Sequence, residues 1–226
     1  MQTLNLGIDD AGRGPVIGPM VLAGVLVNSD VEKEFKKIGV KDSKQLTPKR
    51  REHLANIIKE KAETFEIVLV YPNEIDENLS DPSKPNLNTL EAIKMAEVIN
   101  KINKGFGKIK VLVDCPSTNI TKWTDLLKTK INNLSNLEVS CEHKADQNHV
   151  SVSAASIIAK HIREKEMDKL REKYGREIGS GYSSDPATCK FLEKHWQKHD
   201  GDGIFRKTWA TWKKLCSKKE QKTFNF

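Results

Sequence analysis

The sequence predicts an α/β protein: a mixed sheet flanked by helices, followed by a small helical C-terminal part. Three observations carry that expectation. Apolar runs of strand length come early and close together; from residue 88 onward helical and strand patterns alternate; and after a glycine-rich break near residue 180 the chain becomes basic and helical.

The elements follow in order. TLNLGID and MVLAGVLVN read as two strands joined by the glycine- and proline-rich segment AGRGPVIGP. A helix should start at Thr47, which can cap it, with Pro48 at the first helical position and Glu52 in an early turn. The strand FEIVLVY comes next. From Asn88 to Asn103 the apolar residues Leu90, Ile93, Ala96, Ile99 and Ile102 recur every three positions, close to the period of a helix face. KIKVLVD is a strand, Trp123 to Ile131 a helix, and LEVSCEH a short strand. VSVSAASIIAKHIREKEMDKLREKYG reads as one long helix, small and apolar at first and strongly charged later.

The segment GSGYSSDPAT, with Gly179, Gly181 and Pro186, marks the expected boundary between a catalytic-sized domain (1–180) and a helical subdomain (181–226). Beyond it, Ala187 to His199 and Arg206 to Lys219 read as two basic helices. Their Trp196, Trp209 and Trp212 are expected to anchor that subdomain by packing, in preference to stacking on bases.

Composition narrows the class. The chain is 37% hydrophobic and 31% charged, with no apolar stretch approaching the roughly 20 residues that span a bilayer. The opening MQTLNLGIDD lacks the basic and apolar regions of a secretory signal, so a cytoplasmic protein without membrane contact is expected. Cys115, Cys141, Cys189 and Cys216 are widely spaced and read as reduced thiols. Residues 1–156 hold 21 basic and 21 acidic residues, whereas residues 157–226 hold 17 basic and 10 acidic, so the net +7 sits in the C-terminal part. A neutral body with a basic appendage suits a polyanionic substrate, although a solubilising surface explains the charge equally well.

Four acidic residues carry the chemistry. Asp9 and Asp10 lie in GIDDAGRGPVIGPMV, Asp114 ends KIKVLVD, and Asp146 opens ADQNHVSVSAASIIAK. Carboxylates at the ends of buried strands need a partner, and a hard, oxygen-seeking cation is the obvious one when several converge. The glycines after the first strand, Gly12, Gly14 and Gly18, resemble a dinucleotide fingerprint only superficially. Pro15 and Pro19 interrupt the run, and a strand follows where a pyrophosphate would need a helix N-terminus. Close approach of backbone to a ligand explains them better.

IDDAGRGPVIGP, VKDSKQLTPKRRE, VLVDCP, EHKAD followed by SVSAASIIAK, GSGYSSDP and RKTWATWKKL together resemble ribonuclease HII, most closely the archaeal type. They occur in that family's order and cover nearly the whole chain. The resemblance implies a ribonuclease H-like fold and endonucleolytic cleavage of RNA in RNA/DNA hybrids and at ribonucleotides embedded in duplex DNA. It implies that Asp9, Asp10, Asp114 and Asp146 bind two Mg2+ or Mn2+ ions about 4 Å apart, and that the products are 5′-phosphate and 3′-hydroxyl ends. Gly12, Arg13 and Gly14 would meet the ribose and phosphate, and Tyr182 the 2′-hydroxyl and adjoining sugar. Lys41, Ser43, Lys44, Arg206 and Lys207 would contact phosphates.

One position departs from the family's pattern, which has Asp then Glu where this chain has Asp9 then Asp10. Strand neighbours point to opposite faces, so the second carboxylate is expected where the strand ends or twists. Aspartate is shorter by roughly 1.5 Å, several times the ~0.2 Å tolerance of a metal–ligand distance. A shifted metal, ligation through water or a preference for manganese is therefore expected.

EQKTFNF resembles the family's clamp-binding tail, with Gln221, Phe224 and Phe226 in place but one residue fewer than usual, so the sliding clamp is a candidate partner. A monomer is expected. Two other classes stay open on residues alone: a DNA junction nuclease indifferent to the 2′-hydroxyl, and a hybrid-binding protein that has lost catalysis.

Overall fold

Met20–Val27 is buried at every position, and an uninterrupted apolar run of that length belongs inside a sheet. A computed structural model, describing residues 4–41, 46–81, 83 and 86–223 with side chains through residue 217, places it there. Among the described residues five strands, β1 (Leu4–Ala11), β2 (Met20–Asn28), β3 (Thr64–Val70), β4 (Ile109–Asp114) and β5 (Leu137–Glu142), form one sheet in the order β3-β2-β1-β4-β5. β1 runs antiparallel to β2 and parallel to β4, and β4 is parallel to β5, so the sheet is mixed as expected.

The helices are α1 (Ser29–Ile38), α2 (Pro48–Lys61), α3 (Pro72–Leu79), α4 (Leu87–Ile102), α5 (Ile120–Thr129), α6 (Ala145–Asn148), α7 (Val150–Tyr174), α8 (Pro186–His195) and α9 (Ala210–Thr223). Thr47 caps α2 by accepting from the Arg50 N–H at 3.3 Å. α5 starts earlier than the apolar pattern indicates because Asn119 caps it, accepting from the Lys122 N–H. α1, α3 and α6 were not expected. Among the described residues no helix is long and apolar enough to cross a membrane.

The chain divides into two compact units. The first comprises the chain up to Ala11, Val21–Leu69 and Asn88–Ile162, and so holds the sheet. One sheet face, with Val21, Ala23, Val25 and Val27, packs on Leu54, Ala55 and Ile58 of α2 and on Ala154, Ala155, Ile157 and Ile158 of α7. On the other face Val98 and Ile102 of α4 lie against Gly24. The small residues that open α7 let its backbone come down onto β1. A Cβ at Gly7 would lie 2.1–2.3 Å from backbone atoms of Ser151 and Val152, so only glycine fits there.

The second unit gathers Gly12–Met20, Val70–Leu87 and the chain from Arg163 on, so its first segment is the glycine-rich loop and not residue 181. Backbone hydrogen bonds account for this grouping. The Val16 and Ile17 N–H groups donate to the Gly181 carbonyl at 2.9 and 3.2 Å, and the Arg206 N–H donates to the Val16 carbonyl at 2.9 Å. The core beneath is aromatic. Phe205 lies 4.8 Å from Trp212 between ring centroids, and Trp196 meets Trp212 edge to face at 5.6 Å, so these tryptophans serve packing.

Candidate active site

β1 and β4 pair in register as far as Ile8 with Val113. The next residues are Asp9 and Asp114, which sets two carboxylates side by side where parallel strands leave the core. Asp10 follows, the penultimate residue of β1 and still paired with Leu22. Alternation directs it to the opposite face from Asp9, while its N–H donates to Asp9 Oδ1 at 2.8 Å. Asp146, buried in α6, is brought in by a bond from the neighbouring residue: the Ala145 N–H donates to Asp114 Oδ1 at 3.0 Å. Ser153 Oγ donates to the Asp146 carbonyl, fixing α6 against α7.

Asp9 is only 4% exposed, and its carboxyl is held well above the ordinary carboxylate range. Burial is the main cause and the Asp10 charge the next, with the Asp114 charge adding to both. Asp9, Asp10 and Asp114 therefore lie in one another's fields. Among the described residues no three His, Cys, Asp or Glu side chains are already gathered into a metal-holding cluster. In kind, the donors nevertheless suit a divalent cation: all are carboxylate oxygens, and the buried one is repelled by its neighbours until positive charge arrives.

Two residues absent from the sequence reading belong to this site. Ser156, fully buried on α7, hydrogen-bonds the Asp9 carboxylate, and Lys160 one turn later donates to Ser156 Oγ at 3.0 Å. Both favour the ionised carboxylate. Their spacing of four places them on one helix face, the only signal the sequence held, and a Ser-Lys pair at that spacing is common on any helix.

The second unit carries the GRG segment. Gly12 has φ +81°, and the Arg163 guanidinium stem lies flat against it, so close that a Cβ would sit 2.3 Å from Arg163 Nε. Arg163 is desolvated, which lowers its pKa; it donates to the Ser180 carbonyl at 3.1 Å and stacks 5.0 Å beneath the Tyr182 ring. Tyr182 is 39% exposed, and its Cε1 lies 3.9 Å from where a Cβ at Gly14 would be. Gly12 is buried, Arg13 half-buried and Gly14 exposed, so Arg13, Gly14 and Tyr182 form one open polar edge.

The expected phosphate contacts divide. Lys41 is exposed. Lys207 is exposed, with Nζ 2.8 Å from Asp200 Oδ1 and 5.8 Å over the Trp212 ring. Arg206 corrects the expectation: it is fully buried, and its guanidinium donates to the carbonyls of Gly12, Arg13 and Gly18. A charge cannot be told buried from exposed by its residue type, and here the loop closes over it. Ser43, Lys44, Phe224 and Phe226 lie outside the described residues, as does the side chain of Gln221.

A mixed sheet of this order, helices on both faces and acidic residues at adjoining strand ends, defines a ribonuclease H-like fold. The crystal structure of ribonuclease H2 from Pyrococcus horikoshii OT3 is similar over 99% of this chain and all of that one, with a TM-score of 0.84 at 38% identity. The ribonuclease HII family model matches residues 6–212, and the chain belongs to the ribonuclease HII family, whose members are endonucleolytic hydrolases. Ribonuclease HII of Thermococcus onnurineus is 41% identical over 216 residues, covering 94% of this chain and 89% of the relative. The structure of a PCNA:ribonuclease HII complex from Archaeoglobus fulgidus aligns with 92% of this chain and 95% of that one, at TM-score 0.79 and 37% identity.

Proposed function

We propose that this ribonuclease hydrolyses the phosphodiester on the 5′ side of ribonucleotides, in RNA/DNA hybrids and singly within duplex DNA, leaving 5′-phosphate and 3′-hydroxyl ends. The observation that carries the proposal is the buried Asp9 carboxyl beside the charges of Asp10 and Asp114, an arrangement that favours binding of divalent cations. Two Mg2+ or Mn2+ ions at Asp9, Asp10, Asp114 and Asp146 would activate the attacking water and stabilise the departing 3′ oxygen. Ser156 and Lys160 favour the ionised form of Asp9 against burial and the neighbouring carboxylates, and the Ser156 hydrogen bond orients it for a cation. Arg13 and the backbone of Gly12–Gly14 bind sugar and phosphate, and Tyr182 packs on the ribose and reads its 2′-hydroxyl, the group that distinguishes RNA from DNA at one nucleotide. Lys41, Ser43, Lys44 and Lys207 supply positive charge to flanking phosphates.

The test is a labelled DNA duplex with one ribonucleotide, incubated with Mg2+, Mn2+ or chelator beside an all-DNA control, for the native chain and Asp10→Glu. Metal-dependent cutting 5′ of the ribonucleotide with the control intact is expected. Asp10→Glu should shift the ratio of Mg2+ to Mn2+ activity by about tenfold, because roughly 1.5 Å of added reach exceeds the tolerance of a metal–ligand distance. Equal cutting of the control, or none with either metal, overturns the proposed activity. An unchanged ratio removes the role given to the shorter Asp10.

The tail from Gln221 to Phe226 is assigned to the sliding clamp. Its pattern of glutamine and spaced phenylalanines supports this, as does the family relative in complex with PCNA. Removing residues 221–226 should weaken clamp binding at least tenfold, by the loss of two aromatic anchors. Equal affinity overturns the assignment.

A further inference from the structure

Arg206 has one of the largest fully buried side chains in the protein, and its hydrogen bonds converge on one loop. Nη2 donates to the Gly12 carbonyl at 2.6 Å, Nη1 to the Arg13 carbonyl at 2.8 Å, and Nε and Nη2 to the Gly18 carbonyl at 3.1 and 2.9 Å. The face of the guanidinium lies 4.9 Å over the Trp209 ring, and Trp209 Nε1 donates to the Gly14 carbonyl at 2.9 Å. Three consecutive carbonyls, those of Gly12, Arg13 and Gly14, are thus drawn to one side by a single Arg–Trp pair. The pair is itself fixed. Asp76 accepts from the N–H groups of Lys207 and Thr208 at 2.7 and 3.0 Å, and the Trp209 N–H donates to the Arg206 carbonyl at 3.2 Å.

In a trans peptide the N–H points opposite to the carbonyl of the preceding residue, and the described chain has no cis peptide bond. Holding the Gly12 and Arg13 carbonyls against Arg206 therefore turns the N–H groups of Arg13 and Gly14 away from it. The positive charge behind the loop also polarises those peptide units, which strengthens their N–H groups as donors.

We infer that Arg206 and Trp209 are positioning residues for ribose recognition: they orient the peptide units of the GRG segment and so set the preference for a ribonucleotide over a deoxyribonucleotide. The inference rests on the proposed role of Gly12–Gly14 in binding the sugar. Arg206 touches no substrate in this account; it acts through the backbone it holds.

The native chain, Trp209→Phe and Arg206→Lys would be compared by three measurements: melting temperature, kcat and KM on the single-ribonucleotide duplex, and the ratio of affinities for that duplex and an all-DNA duplex in chelator. Trp209→Phe keeps an aromatic face for the Arg206 guanidinium and removes the N–H donor, so at this half-buried position it should melt within a few degrees of the native chain. Its kcat/KM should fall about tenfold and its affinity ratio by a similar factor, the effect of one lost orienting hydrogen bond, while affinity for all-DNA duplex holds. Arg206→Lys satisfies fewer carbonyls and should lose about a hundredfold in kcat/KM, with a further drop in the ratio. A purely structural role lowers the melting temperature and leaves the ratio at the native value; that result in Trp209→Phe overturns the inference even if Arg206→Lys fails to fold. If the native chain itself shows no preference for the ribonucleotide, the reading of the GRG segment falls and the inference with it, an outcome distinguishable from failure of the variants alone.

Discussion

Asp9→Asn is expected to reduce metal-dependent cleavage by about 10³-fold or more, and at the same time to raise the melting temperature of the metal-free protein at neutral pH. The loss follows from removing a charge that binds the cations. The gain follows from the environment of Asp9, whose carboxyl is raised well above its ordinary 3.8 by burial and by the Asp10 and Asp114 charges. Below the ordinary value both folded and unfolded Asp9 are protonated, and the two proteins should be equally stable at this site. As pH rises past it the unfolded chain ionises first while the folded chain keeps its proton, so the native protein loses stability until the pH exceeds the folded value. Asparagine keeps an oxygen to accept from Ser156 and from the Asp10 N–H but never ionises. Melting curves in chelator from pH 4 to 8 should therefore diverge upward for the variant, by about 2–4 °C per kcal/mol in a protein of this size. Added Mn2+ should raise the native protein's melting point more than the variant's. A variant that melts at or below the native temperature at pH 7 in chelator would show that Asp9 is not under this repulsion.

Much of this was legible in the residues because burial on both sheet faces leaves a continuous apolar run, as in Met20–Asn28, and burial on one face leaves an alternating one, as in Ile109–Asp114. TLNLGID, MVLAGVLVN, FEIVLVY, KIKVLVD and LEVSCEH all became strands, and two of them, the first and the fourth, place Asp9, Asp10 and Asp114. α1 escaped because SDVEKEFKKI has a single fully buried side chain, Phe35; its signals were the caps, Asn28 accepting from Asp30 and Val31 and Gly39 at φ +87°. α3 escaped because PNEIDENL has the composition of a loop. The acidic residues were legible individually, but the Lys160–Ser156 support of Asp9 was not, since it depends on which face of α7 meets β1. Arg206 was read as a surface cation because a sequence displays charge without depth. Only the closure of the Gly12–Gly18 loop over the guanidinium gives it a structural task. The boundary near residue 180 likewise missed the Val16–Gly181 and Val16–Arg206 backbone bonds, which join segments far apart in the chain.

The two outer glycines of GRG should respond differently to one added methyl group. Gly12→Ala is expected to lose about 2–4 kcal/mol of stability and more than 100-fold in activity. Its φ of +81° costs an L residue about 1–2 kcal/mol on its own. The Cβ would also sit 2.4 Å from Arg163 Cδ and 2.8 Å from the Pro19 carbonyl oxygen. Arg163 cannot retreat freely, because its guanidinium carbon lies 5.0 Å from the Tyr182 ring centroid and the Ser180 carbonyl holds its Nη2, so the disturbance reaches the proposed ribose-reading tyrosine. Gly14→Ala meets no such obstacle. Its nearest neighbour would be Tyr182 Cε1 at 3.9 Å, an ordinary contact, and its backbone is outside the left-handed region. It should melt within about 2 °C of the native protein, consistent with a surface substitution of under 0.5 kcal/mol. Its methyl group, however, would project toward the edge of Tyr182 where the ribose is proposed to lie, and kcat/KM on a single-ribonucleotide duplex should fall about 100-fold. Stability and catalysis thus separate at Gly14 and fall together at Gly12. A Gly14→Ala enzyme with native kcat/KM would place the sugar elsewhere than against the edge that Gly14 and Tyr182 share.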